Sequence, residues 1–241
     1  MYRKELNERN PLRLFEHSIH GGLGPGNIGL VVARHGIGKT AFLVGIALDD
    51  AMRGRKVLHV SLDKTVDHIR DFYDELFIDL AYAARLEDPA AVRLEMERNR
   101  ILHTYAGKSF TIHKLRHSIN FLKQYAYFDP ACLILEGFDF ERATVTDIDA
   151  FRQLAREFNV EMWMSAVTHR GVPSNEHGIP EHLAKLASVI AVIVQMADYS
   201  DGVHLSLLKD HDNPNVAKLS LALDPSTMLL VKNTPGSNLA S

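Results

Sequence analysis

One cysteine stands in 241 residues, so no internal disulfide forms, and the chain suits a reducing compartment. Cys132 lies in an apolar run, where its expected role is a small buried hydrophobe. Long apolar segments are also missing. The longest aliphatic run, Val189 to Val194, is far short of the roughly 20 residues that a membrane helix needs. The first ten residues, MYRKELNERN, carry five charged side chains and no apolar stretch, which argues against a secretory signal. A cytoplasmic protein is expected. Charge of one sign is not in excess: 27 Lys plus Arg against 30 Asp plus Glu leave a net charge of −3. That excludes a polycation with a bulk electrostatic footprint for nucleic acid. No repeat of 20–50 residues and no low-complexity linker divides the chain. Neither H-E-x-x-H nor G-x-S-x-G occurs, and one cysteine excludes a zinc cysteine cluster. Among the 13 histidines, the pairs His17/His20 and His113/His117 have helix spacing and read as surface or capping residues.

What remains is an ordinary globular composition, 46% hydrophobic and 24% charged. Such a chain buries on the order of 70–75% of its unfolded surface, as one large domain or two small ones. The turn-rich run HGGLGPGN, His20 to Asn27, precedes an apolar run, Ile28 to Ala33, that reads as a buried parallel strand. A loop, an apolar helix over Ala41 to Met52 and a strand over Val57 to Leu62 follow, a right-handed crossover unit. Val66, Ile69, Phe72, Tyr73, Leu76 and Phe77 share a helix face. The charged stretch Ala90 to Arg100 reads as a solvated helix, Ile101 to Tyr105 as a short strand and Leu115 to Phe128 as an amphipathic helix. Ala131 to Leu135 and Val160 to Val167 are further buried strands, flanking a helix over Ile148 to Phe158. Thr146 and Asp149 have capping-box spacing for that helix. After a turn-rich loop, Thr168 to Ile179, Pro180 introduces a short helix, Glu181 to Leu186. Four short strands end the chain: Val189 to Met196, Val203 to Leu208, Ala217 to Leu223 and Met228 to Val231. The pattern predicts an α/β fold, a mainly parallel central sheet flanked by helices with C-terminal antiparallel strands.

The sharpest motif is ARHGIGKT, Ala33 to Thr40, which matches the second half of a Walker A loop. Ala33 replaces the usual first glycine, and Gly36 adds a permissive position. Glycines let the N–H groups of Arg34, His35, Gly36, Ile37, Gly38 and Lys39 turn inward around phosphates. The helix start at Lys39, Thr40 and Ala41 presents its positive end to the same anions. Lys39 is placed to reach the β- and γ-phosphates and Thr40 to set a hydroxyl on Mg²⁺.

The run GGLGPGNIGLVVARHGIGKTAFLVGIAL resembles the start of the RecA-like P-loop ATPases, in the branch that holds KaiC and the DnaB helicases. Further matches follow in order: HVSLDKT (His59 to Thr65), ACLILEGFD (Ala131 to Asp139), MSAVTHR (Met164 to Arg170) and LLKDHDN (Leu207 to Asn213). The resemblance spans residues 15–232. It implies an ATPase domain there, with an N-terminal segment over 1–14 and a flexible tail over 233–241. It also implies that ATP and Mg²⁺ bind the phosphate loop. Glu136 takes the Walker B position at the metal, with Asp139 as the competing acid. Asp63 takes the place of the catalytic Glu, one carbon shorter. Val167 stands where some relatives carry a Gln, with Thr168, His169 and Arg170 beside it. Lys209 and His211 replace a Lys-x-Arg element that acts across a subunit boundary in relatives, which implies a homo-oligomeric ring or stack that depends on nucleotide.

The expected function is a Mg²⁺-dependent ATPase with slow hydrolysis, because the acid is short and the arginine finger is absent. The alternative is an ATP-dependent switch that hydrolyses poorly and binds a partner protein. A DNA motor or recombinase is disfavoured, since no basic extension or aromatic-basic stretch is present. ATP is preferred to GTP, since no Asn-Lys-x-Asp motif appears.

Overall fold

The computed structural model describes residues 1–105 and 109–233. All but Asn233 of the expected tail lies outside them. Nine strands form one sheet among the described residues: β1 (Ile28–Ala33), β2 (Val57–Ser61), β3 (Arg100–Thr104), β4 (Cys132–Glu136), β5 (Glu161–Val167), β6 (Val192–Tyr199), β7 (Gly202–Asp210), β8 (Leu221–Leu223) and β9 (Leu230–Lys232). Their order is β3-β2-β4-β5-β1-β6-β7-β8-β9. The six strands from β3 to β6 run parallel, and β7, β8 and β9 return antiparallel at one edge. β1 sits inside the sheet between β5 and β6, buried on both faces, which explains its unbroken apolar run. Gly29 is required there: a Cβ would overlap the indole of Trp163 on the neighbouring strand.

Helices cover both faces. On one lie α1 (Arg3–Arg9), α2 (Leu12–Ser18), α3 (Lys39–Met52), α4 (Val66–Ala83) and α5 (Pro89–Arg98), packed with Phe15, Phe42, Tyr73 and Trp163. On the other lie α6 (Ile112–Tyr125), α7 (Val145–Phe158) and the short α8 (Glu181–Ala184), with Phe140, Phe151 and Leu154. Leu6 and Leu12 are buried, so the two N-terminal helices pack into the first of these cores. No helix among the described residues is long and apolar enough to cross a membrane.

Three boundaries differ from those expected. The helix after β4 is capped by Thr144 with Asp147, not by Thr146 with Asp149. Both pairs have the same spacing, but Thr144 is the residue in extended backbone, and Asp149 instead receives bonds from Arg152 and Gln153. The strand expected from Val189 begins at Val192, because Ala187–Val189 winds into a 3-10 turn. The strand expected from Ala217 begins at Leu221.

At the C-terminal end of α3, Asp49 and Asp50 are both buried. Asp49 receives bonds from Asn10 and Arg13, which holds α2 against α3. Asp50 faces Arg55 at 3.3 Å, and Arg55 bonds Glu161 of β5 at 3.0 Å. Burial pushes the Asp50 carboxyl up to about 7 despite Arg55. The folded chain therefore keeps a proton that the unfolded chain releases above its ordinary value of 3.8. This group's contribution to stability is present below that value and is lost as pH rises through 7. Asp50→Asn should remove the dependence. Its stability relative to wild type, from urea unfolding, should improve by on the order of 2 kcal/mol between about pH 5 and 8. Parallel pH profiles for the two proteins would mean that Asp50 is ionised in the fold.

Candidate nucleotide site

Parallel strands that share a direction bring their C-terminal ends to one edge of the sheet, the usual place for a ligand in open α/β folds. Here that edge gathers the loop after β1, Asp63 and Lys64 after β2, Glu136 at the end of β4, and Ser165 and Val167 of β5. Between them is a cavity of about 590 Å³. Its walls include His35, Gly36, Gly38, Lys39, Thr40 and Ala41 from the phosphate loop and the start of α3. α4 contributes Phe72, Glu75, Leu76 and Asp79. The turn between β8 and β9 contributes Ser226, Thr227 and Met228.

The loop geometry follows from its glycines. Gly36 and Gly38 have φ of 78° and 105°, a left-handed region that other residues enter at a cost. At Gly38 a Cβ would also collide with Met228, which reaches over from the β8–β9 turn. α3 begins at Lys39, directly after the loop. The other loop residues stand outside the cavity wall. Ile37 packs against the core beside α3, and the carbonyls of Ala33 and Arg34 accept bonds from Lys39 Nζ at 3.1 and 2.9 Å. Burial lowers the Lys39 pKa, opposed by the Glu136 charge.

Thr40 Oγ1 donates to Glu136 Oε2 at 2.7 Å. The two residues assigned to Mg²⁺ are thus in contact although they lie 96 positions apart. Glu136 is 1% exposed. Burial alone would raise its pKa, but hydrogen bonds from His59 and Thr40 and the charges of His59 and Lys64 hold it down at about 2. Asp63 lies at the rim with its side chain half exposed, and accepts a bond from Ser61 Oγ at 3.0 Å. Lys64 Nζ stands 3.4 Å from both Asp63 and Glu136.

Asp139 faces elsewhere: its carboxylate accepts the backbone N–H groups of Glu141 and Arg142. His169 pairs with Glu141 on the surface. Lys209 and His211 stand at the other end of the sheet. Lys209 is in register with Ile193, near the start of β6, and its ammonium donates to the carbonyls of Ala187 and Ile190 at 2.6 and 2.5 Å. His211 bonds Asp210 and the carbonyl of Leu23.

Sequence reasoning missed His59, Lys64 and Tyr73 as parts of the site. His59 and Tyr73 are fully buried, and His59 bridges Glu136 and the Tyr73 hydroxyl at 3.1 Å each. The one available signal was a histidine inside an otherwise apolar strand, on the same face as Val57 and Ser61.

No protein-family profile matches the sequence, and a search of curated proteins returns no match. The structure is similar to a solved ATPase domain of a DnaB-like helicase, with a TM-score of 0.69 and 15% identity, over 91% of this chain and 89% of that one. The fold is therefore the RecA-like α/β arrangement, with the antiparallel strands at the C-terminal edge.

Proposed function

We propose that the chain binds ATP with Mg²⁺ at the phosphate loop and hydrolyses it slowly. The observation that carries this reading is the Thr40–Glu136 contact at the mouth of a glycine loop that also holds Lys39. The donor set fits the metal. Mg²⁺ takes hard oxygen ligands, usually one or two from protein with phosphates and water completing the shell. Thr40 offers a hydroxyl and Glu136 an ionised carboxylate, and no group of three or more acids, histidines or cysteines that could hold a metal unaided occurs among the described residues. Bound there, Mg²⁺ would supply charge stabilisation for the phosphates.

Lys39 would exchange its two carbonyl partners for phosphate oxygens, an exchange that its partial burial favours. Backbone N–H groups of the loop and the α3 N-terminus would hold the remaining anionic oxygens. Asp63 is the acid that would orient the attacking water. Its exposure and its bond from Ser61 leave it at the rim, in keeping with slow turnover.

Removing the Lys39 charge should be decisive. Lys39→Ala should lower ATP affinity at least about 100-fold by calorimetry with the circular dichroism spectrum unchanged. Unchanged affinity would refute the site. Asp63→Asn should cut steady-state phosphate release by on the order of 10²-fold with ATP affinity nearly intact. Release as fast as wild type would take the water-orienting role from Asp63.

A second reading, an ATP-dependent switch that binds a partner protein and barely hydrolyses, is favoured by the engagement of Lys209. Its two carbonyl bonds within the chain occupy the group that would otherwise serve as the cation in trans. Both readings meet in an assembly test. If Lys209 acts across a boundary, sedimentation velocity should show a ring or stack with a non-hydrolysable ATP analogue and smaller species without it. A monomer at high concentration in both conditions would move the weight to the single-subunit switch.

A further inference from the structure

Glu136 is in register with Ser61, yet its carboxylate bonds His59, the preceding residue on the same face of β2. Residues on one strand face are spaced about 7 Å apart, so the side chain must lean back along the sheet to make this contact. The extra methylene of Glu over Asp supplies the reach. An Asp at 136 would end short of the imidazole.

The geometry points to His59 as a positioning residue that fixes the long acid: it holds Glu136 Oε1 so that Oε2 faces the Thr40 hydroxyl, where the Mg²⁺ of a bound nucleotide is coordinated. The inference rests on the nucleotide reading above and adds to it the residue that makes a glutamate serviceable at this position.

The ring of His59 is itself held. An ionised carboxylate only accepts, so Nε2 carries the hydrogen toward Glu136, and the Tyr73 hydroxyl meets Nδ1 from α4. Tyr73 in turn lies under the Arg100 guanidinium, 4.2 Å from its ring centroid. Elements from β2, α4 and β3 thus converge behind one carboxylate, and none of these side chains lines the nucleotide cavity. Outer partners of metal ligands act in this manner, by fixing the orientation of the group that touches the ion.

The test compares Mg²⁺ titrations of the protein with saturating fluorescent ATP analogue across four variants. His59→Phe fills the space without a hydrogen bond and should raise the half-saturating Mg²⁺ concentration by about tenfold or more. Metal-free binding of the analogue should change little. His59→Gln places an amide N–H near the position of Nε2 and should return the value to within about threefold of wild type. Glu136→Asp should weaken Mg²⁺ binding, and adding His59→Phe to it should cost nothing further, because the contact is already gone. In nucleotide-free protein, melting temperatures of the same four variants should show the matching non-additivity.

Non-additive melting temperatures with a Mg²⁺ titration unchanged in His59→Phe would make His59 purely structural and overturn the inference. Equal Mg²⁺ titrations for His59→Gln and His59→Phe, with His59→Gln folded, would also overturn it. If wild type shows no Lys39-dependent binding of the analogue, the nucleotide reading itself falls. Should His59→Phe not fold, Tyr73→Phe releases Nδ1 without emptying the site and should shift the titration in the same direction, by about threefold. No shift in that variant counts against the inference.

Discussion

Glu136 carries a charge where only 1% of its surface meets water, and an unpaired carboxylate in such a place costs roughly several kcal/mol. Every element around it is arranged to offset that cost. Thr40 comes from the first turn of α3, His59 from β2 and Lys64 from the loop after β2. These are the elements that must also converge if phosphates are to be held. The demand of one buried charge and the demand of a phosphate site are met by the same convergence, which couples the stability of the sheet edge to the geometry of the site. The depressed pKa of Glu136 has the corresponding sign: its stabilisation is full above its ordinary value of 4.5 and is lost as pH falls toward 2.

The phosphate loop adds its own constraint. Gly36 and Gly38 take left-handed backbone, and the loop's carbonyls at Ala33 and Arg34 turn to the Lys39 ammonium. Met228 crosses over Gly38 from the β8–β9 turn, so the antiparallel edge of the sheet is packed against the loop in the same chain. The three late strands therefore shape the cavity instead of merely extending the sheet.

All nine strands and the phosphate loop were legible because buried parallel strands and glycine turns leave strong local patterns: unbroken apolar runs, and positions where only a residue without a Cβ fits. Thr40 and Glu136 could be named from motif order, but their 2.7 Å contact could not, since it depends on β4 lying next to β2 and on the crossover that returns α3 to that edge. His59 escaped for a similar reason. Its neighbours Leu58 and Val60 read as core, and nothing local says which strand lies opposite its imidazole. The capping pair was displaced by two residues because Thr144/Asp147 and Thr146/Asp149 are indistinguishable by spacing, and only the backbone of Thr144 separates them. The two N-terminal helices were not anticipated as core, since their few apolar residues are diluted among charges; Leu6, Leu12 and Phe15 become a packing face only once α3 is beside them.

The late cations show how a motif likeness and a structural use can occupy the same residues. Asp210 is fully buried, and His20, His211 and Asn213 all bond its carboxylate, while the other nitrogen of His211 bonds the Leu23 carbonyl. The end of β7 is thereby fastened to the glycine turn ahead of β1. Lys209 fastens the same end to the 3-10 turn ahead of β6. Both turns set where β1 and β6 begin, and β1 runs directly into the phosphate loop. Parallel strands extend with little slack, so an anchor at the start of β1 constrains where its other end delivers Gly36 and Gly38. In a single chain Lys209 and His211 thus act on the site through the length of the sheet, whereas a role across a boundary would require Lys209 to give up two carbonyl bonds and release the start of β6 at the moment of contact.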